Sequence, residues 1–222
     1  MNSFAVSWSR GARDTRRFLH FINFYLISQI NSYLPYVLFI ALVIYLICLY
    51  WKNKEISNKV LNRSILIVAI LLIAQFLLSG LLFYLSLKSD KMGLGRYLLP
   101  GKNAYYFTSI LYLSYPMLYA FISSALLAAL FYGIRRYRPA IIDSWEIKLI
   151  VLLTLVCGWP RLIFWLFLGL VIFLLSKFHP LLRGQGIATR TRIAPYLLVA
   201  ALLVLIFAGL VGRVFILLHL NF

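Results

Sequence analysis

An all-α, polytopic transmembrane helix bundle of about five to seven spans, with one or two short helical hairpins, is the fold class this sequence predicts. Three observations carry the prediction. Of 222 residues, 64% are hydrophobic and 12% charged, whereas a soluble domain is near half apolar and a quarter charged. Apolar runs such as Ser64 to Leu87 and Pro195 to Leu220 carry few or no charges over the length needed to cross roughly 30 Å of hydrocarbon. Neither run alternates apolar with polar residues as a barrel strand would, so the backbone must satisfy its hydrogen bonds within helices.

Residues 1–32 open with Arg10, Arg13, Arg16 and Arg17, followed by an aromatic-rich stretch from Phe18 to Ile30. No A-x-A-like cleavage site follows, so the segment is read as an uncleaved basic amphipathic helix lying at the headgroup level rather than a signal peptide. Residues 33–222 form the transmembrane helical domain. Its five apolar blocks are Tyr33 to Trp51, Ser64 to Leu87, Ala104 to Ile134, Lys148 to Phe178 and Ala194 to Leu220. The third and fourth would each be about 46 Å long as straight helices, more than the hydrocarbon requires. They must tilt and protrude, or fold back. In the fourth, Cys157-Gly158-Trp159-Pro160-Arg161 joins a flexible residue, a helix breaker and an interfacial aromatic beside a charge, which predicts a turn at the membrane surface. In the third, only Ser114, Tyr115 and Pro116 interrupt, and proline in a membrane helix often gives no more than a kink.

The balance of 22 Lys and Arg against 5 acids, +17 in all, is large enough to raise nucleic acid as a partner. The bases cluster instead in short segments between apolar runs, where cytoplasmic retention and anionic headgroups favour them. The expected partner is the lipid bilayer, with no nucleic acid. Two hairpins would gather most basic clusters on the N-terminal side, a better match to the enrichment of Lys and Arg in cytoplasmic loops than single spans throughout. Cys48 and Cys157 fall within apolar runs without metal-ligand spacing and are read as packing residues.

Chemistry has few residues to draw on. Asp14, Glu55, Asp90, Asp143, Glu146 and three scattered histidines, His20, His179 and His219, are the available acids, bases and hard-metal ligands. No metal site or cofactor is expected, and no Walker loop, dinucleotide fingerprint, nucleophile elbow or zinc-protease motif is present. Asp90 directly follows the second block, and Asp143 with Glu146 directly precedes the fourth. Two carboxylates in contact could act as acid and base on one water, because like charges push their pKa values apart. Ordinary juxtamembrane acids that balance neighbouring lysines would have the same spacing.

The run Glu146-Ile147-Lys148-Leu149-Ile150, leading to Gly158-Trp159 and a further apolar helix, resembles the second active-site region of the prepilin peptidases, the type IV leader peptidases of G-x-G-D type. Their pattern there is G-x-G-D-x-K-L-L before a short helix and a Gly-Trp turn. Asp90 ahead of Leu98-Leu99-Pro100 resembles their first active-site region. Arg192-Ile193-Ala194-Pro195-Tyr196-Leu197 resembles the I-P-F-G-P-F-L opening of their last helix. The likeness covers roughly residues 65 to 215. It implies an aspartic-type intramembrane endopeptidase of the bacterial inner membrane that cuts pilin-like leaders at the cytoplasmic face, with Asp90 and Glu146 catalytic and Lys148 and Asp143 in support. The chain departs from the pattern in having Asp143-Ser144-Trp145 where the family has glycines, and Glu146 where it has aspartate. The competing expectation is a non-catalytic subunit that scaffolds a pilus, conjugation or secretion assembly. Its packing faces would use small residues such as Gly209 with Gly212, or Ser123-Ser124 with Ala125, Ala128 and Ala129. Topology separates the two readings: an even number of crossings must lie between Asp90 and Glu146 for them to meet, which requires the Ala104 to Ile134 block to be a hairpin.

Overall fold

A computed structural model of the chain describes residues 30–31, 33–89, 98–99, 104–138, 142–182 and 192–209. Among these, all regular structure is helical: α1 (Tyr33–Asn53), α2 (Asn58–Ser89), α3 (Tyr105–Tyr137), α4 (Ser144–Cys157), α5 (Arg161–Leu182) and α6 (Ala194–Ile206). Four of them, α1, α2, α3 and the Arg161–Phe178 part of α5, are long and apolar enough to cross a membrane. The protein is therefore a multi-pass helical membrane protein. The interfacial helix expected over residues 1–32 lies outside the described residues except for Ile30 and Asn31, which are helical.

The two long blocks behave differently. The third is one continuous helix of 33 residues with Pro116 inside it, so the hairpin that would bring Asp90 to Glu146 does not form. Proline removes one backbone donor, whereas a turn at this depth would expose several unpaired groups to hydrocarbon. The fourth block does break, into α4 and α5 around Gly158, Trp159 and Pro160. Gly158 holds φ 63° and ψ 171°, a combination confined essentially to glycine, and the Trp159–Pro160 peptide is cis.

The break packs between the first turn of α1 and the middle of α3. With 14 residues, α4 is about 20 Å long, too short to cross roughly 30 Å of hydrocarbon. The Trp159 ring lies 5.9 Å from that of Tyr119, well inside α3. Thus α4 and α5 form a helical hairpin, and Arg161 at its turn donates to the hydroxyl of Tyr36, three residues into α1.

The short helix is the centre of the fold. It contacts α2, α3, α5 and α6, and 11 of its residues are buried, on every side. Its Leu149, Leu152, Leu153 and Val156 share a core with Val43 and Leu46 of α1, Leu61 and Val68 of α2, Trp165 of α5, and Leu198 and Ala201 of α6. Since lipid is as apolar as leucine, this core is held by close packing and by internal hydrogen bonds. The buried Trp165 indole donates to the Leu197 carbonyl at 2.9 Å. A Cβ at Gly169 would come within 2.9 Å of Leu197 Cδ2, so α5 and α6 meet at a glycine. Of the small residues expected on packing faces, Ser124 is buried, Ala125 and Ala129 are on the surface of the single chain, Gly209 has open space around it, and Gly212 lies outside the described residues. Cys157 packs as expected, but Cys48 is exposed.

Candidate functional site

At one end of the bundle three chain segments converge: the α1–α2 connection, the start of α4 and the start of α6. The sequence D-S-W-E builds the second of these. Asp143 is the N-cap of α4 with Glu146 at the third helical position, a capping box in which each side chain faces the other's backbone amide, and acids suit this end of the helix dipole. The Asp143 amide donates to Glu146 Oε2 at 3.2 Å. The other oxygen, Oε1, accepts the Ile193 amide at 3.3 Å. Glu146 is only 6% exposed, and its two oxygens join the start of α4 to the start of α6.

Arg192 extends the junction to the first loop. Its guanidinium donates to the Lys54 carbonyl and pairs with Glu55 at 2.6 Å. The Tyr50 hydroxyl lies within the electrostatic reach of both Arg192 and Glu146, and its ring tilts over Trp145 at 6.2 Å between centroids. Tyr50, Glu55, Asp143, Glu146 and Arg192 therefore occupy one face of the protein.

Of the site residues predicted from sequence, Glu146 and Asp143 meet, as a capping box. Lys148 is half-buried on the next turn and forms no ion pair among the described residues. Asp90 lies outside the described residues. The helix before it starts at the Glu146 face, and its last residue, Ser89, is 31 positions on, about 46 Å along the axis. Glu146 and the Ser89 end of α2 are thus at opposite ends of the bundle. The crossing count, applied to a continuous α3, selects Glu55: two helices separate it from Glu146, so both return to the same side. Sequence reasoning counted Glu55 among the available acids and met Arg192 in a resembling stretch, but assigned neither of them, nor Tyr50, to the site, although Glu55 and Arg192 each stand just outside an apolar block.

Chemically, the face offers one buried carboxylate engaged by two backbone donors, one half-buried carboxylate, Asp143, that caps the same helix, and one exposed carboxylate neutralised by arginine. An acid–base pair sharing a water needs two carboxylates in contact, and here the Arg192 segment stands between Glu55 and Glu146. Among the described residues no group of His, Cys, Asp and Glu could hold a metal ion. Fold and site together define a polytopic helical membrane protein whose loop face is tied by a carboxylate. The chain matches no family model, no curated protein and no solved structure.

Proposed function

We propose that this protein is a non-catalytic multi-pass membrane subunit, a scaffold for other membrane helices, related in pattern to the prepilin peptidases but without their proteolysis. The observation that carries the reading is Glu146. The carboxylate best placed for catalysis is buried and holds two loops together, and the continuous α3 sets it far from the helix end that precedes Asp90. Leader-peptidase activity would need a second carboxylate free to share a water with it, and the neighbouring Asp143 is taken up as the N-cap of the same helix.

A scaffold needs an uncovered helix face, and α3 has one. Tyr112, Tyr115 and Tyr119 are spaced along one side and form a ladder of ring contacts that runs on to Trp159. Tyr112 is 63% exposed and Tyr119 45%. Phenol hydroxyls within hydrocarbon favour a partner that accepts their hydrogen bonds. By the resemblance, the partners are pilin-like proteins or membrane subunits of a pilus, conjugation or secretion assembly, and the compartment is the bacterial inner membrane. The basic segments 52–63, 135–138 and 142–148, with Lys177 and Arg192, share the Glu146 end, which supports a cytoplasmic placement for that face.

The test is leader cleavage of a pilin-like substrate in cells carrying the wild-type chain, Glu146→Gln or Glu55→Gln, with protein level measured in parallel. Unchanged processing in all three supports the scaffold. Loss of cleavage in either variant at normal protein level would overturn it and restore the protease.

A further inference from the structure

A cavity of about 350 Å³ lies beside the turn of the α4–α5 hairpin, between α1, α2, α3 and the break, in the size range of small-molecule sites. Its polar wall is made by Arg161, Tyr36, Gln75 and Ser79, with Met117 and Trp159 among the apolar remainder. The depth is set by the helices around it. Met117 is 12 residues from the start of α3 and 20 from its end, about 18 Å and 30 Å. Ser79 is 15 residues past the start of the apolar run at Ser64. Tyr36 is three residues into α1 and the Ser79 hydroxyl accepts from Asn31 at 2.9 Å, so the cavity lies among the helices near the level where the first span begins.

A guanidinium half-buried among apolar helices favours a counter-charge or strong acceptors. Arg161 has one described partner, Tyr36: it donates to the hydroxyl, and its guanidinium carbon stands 4.6 Å from the ring centroid. The described carboxylates, Glu55, Asp143 and Glu146, all belong to the opposite end of α4, about 18 Å away along that helix. Five donors on a planar fork match a carboxylate or phosphate. Gln75 and Ser79, one turn apart on α2, add neutral donors on the same wall. Leu113, also lining the cavity, is 44% exposed, so the space opens sideways toward lipid.

We propose that this cavity binds an anionic amphiphile, with its carboxylate or phosphate head on Arg161 and its aliphatic chain leaving past Leu113 along α3. The site is separate from the Glu146 face, and the proposal holds whether the protein is a scaffold or a protease.

Trp159 in the wall gives a direct readout. The full-length protein in non-ionic detergent is titrated with 9,10-dibromostearate, its methyl ester and a dibromostearoyl lysophosphatidate, and bromine quenching of tryptophan is followed. The expected result is quenching by the acid that Trp159→Phe loses. Half-saturation should rise about tenfold or more in Arg161→Gln, stay close to wild type in Arg161→Lys, and rise similarly for the ester. Tighter binding of the lysophosphatidate than of stearate assigns the head as a lipid phosphate, and the reverse assigns a free carboxylate. Equal quenching by acid and ester overturns the proposal, as does an unchanged midpoint in Arg161→Gln or undiminished quenching in Trp159→Phe. If Arg161→Gln does not fold, the comparison of acid with ester on the wild-type chain decides alone.

Discussion

Replacing Glu146 by alanine removes the acceptor from two backbone amides, those of Asp143 and Ile193. A hydrogen bond to a charged group contributes about 1.5–3 kcal/mol, but both donors are half-buried, near a loop face where water can replace part of each bond. The lost half of the capping box belongs to the same account and is worth about 1 kcal/mol. Glu146→Ala should therefore destabilise the fold by about 2–3 kcal/mol. Glu146→Gln keeps one acceptor oxygen and turns an amide donor toward the other N–H, so its loss is about half as large. Glu146→Asp keeps the charge but withdraws it by about 1.5 Å, beyond hydrogen-bond range of both donors, and should resemble alanine. The assay is unfolding of the full-length chain in mixed micelles with rising SDS, followed by tryptophan fluorescence. The two roles for Glu146 predict opposite orders. A catalytic carboxylate would tolerate aspartate, the residue of the prepilin-peptidase pattern, and its removal to alanine would leave stability unchanged. Aspartate as stable as wild type, with alanine within about 0.5 kcal/mol, would refute the structural role.

Three further outcomes test the packing. Trp165→Phe removes the indole donor from the Leu197 carbonyl at a fully buried site and should cost about 2 kcal/mol in the same titration. Gly169→Val forces a branched side chain against Leu197 and Ala200 and should cost about 2 kcal/mol, whereas Gly133→Ala, with nothing within 4 Å of the added carbon, should be neutral or stabilising by up to about 1 kcal/mol. Glu55→Gln breaks an ion pair whose side chains are 36% and 57% exposed, and should cost less than about 1 kcal/mol, with the difference disappearing at high salt.

Membrane residence, helical structure and the existence of a break in the fourth block were legible in the sequence because each follows from local constraints. Hydrocarbon thickness fixes how many apolar residues a span needs, and the unpaired backbone of a strand or coil has no partner in lipid. At Gly158-Trp159-Pro160 the chain carries both a residue that accepts a glycine-only conformation and one that stops a helix, so the turn is written in adjacent positions. The Asp143-x-x-Glu146 spacing was equally legible as a capping box, yet the same two residues also fit an acid pair, and periodicity does not choose between them.

What only the tertiary structure decided is which residues share a face. Pro116 by itself permits a kink or a turn, and the choice fell to the continuous helix that packs along α2 and α4. That one outcome reverses the parity of everything before it: Glu55 and Tyr50 come to Glu146, and the helix end leading to Asp90 goes to the other side. The partner of Arg161 follows in the same way, since only the packing of the α4–α5 turn against α1 brings its guanidinium to the Tyr36 hydroxyl. Sequence sets the length and polarity of each segment through interactions with solvent and lipid. Which ends meet depends on how many times the chain crosses, and a single proline can be accommodated either way until its neighbours are packed around it.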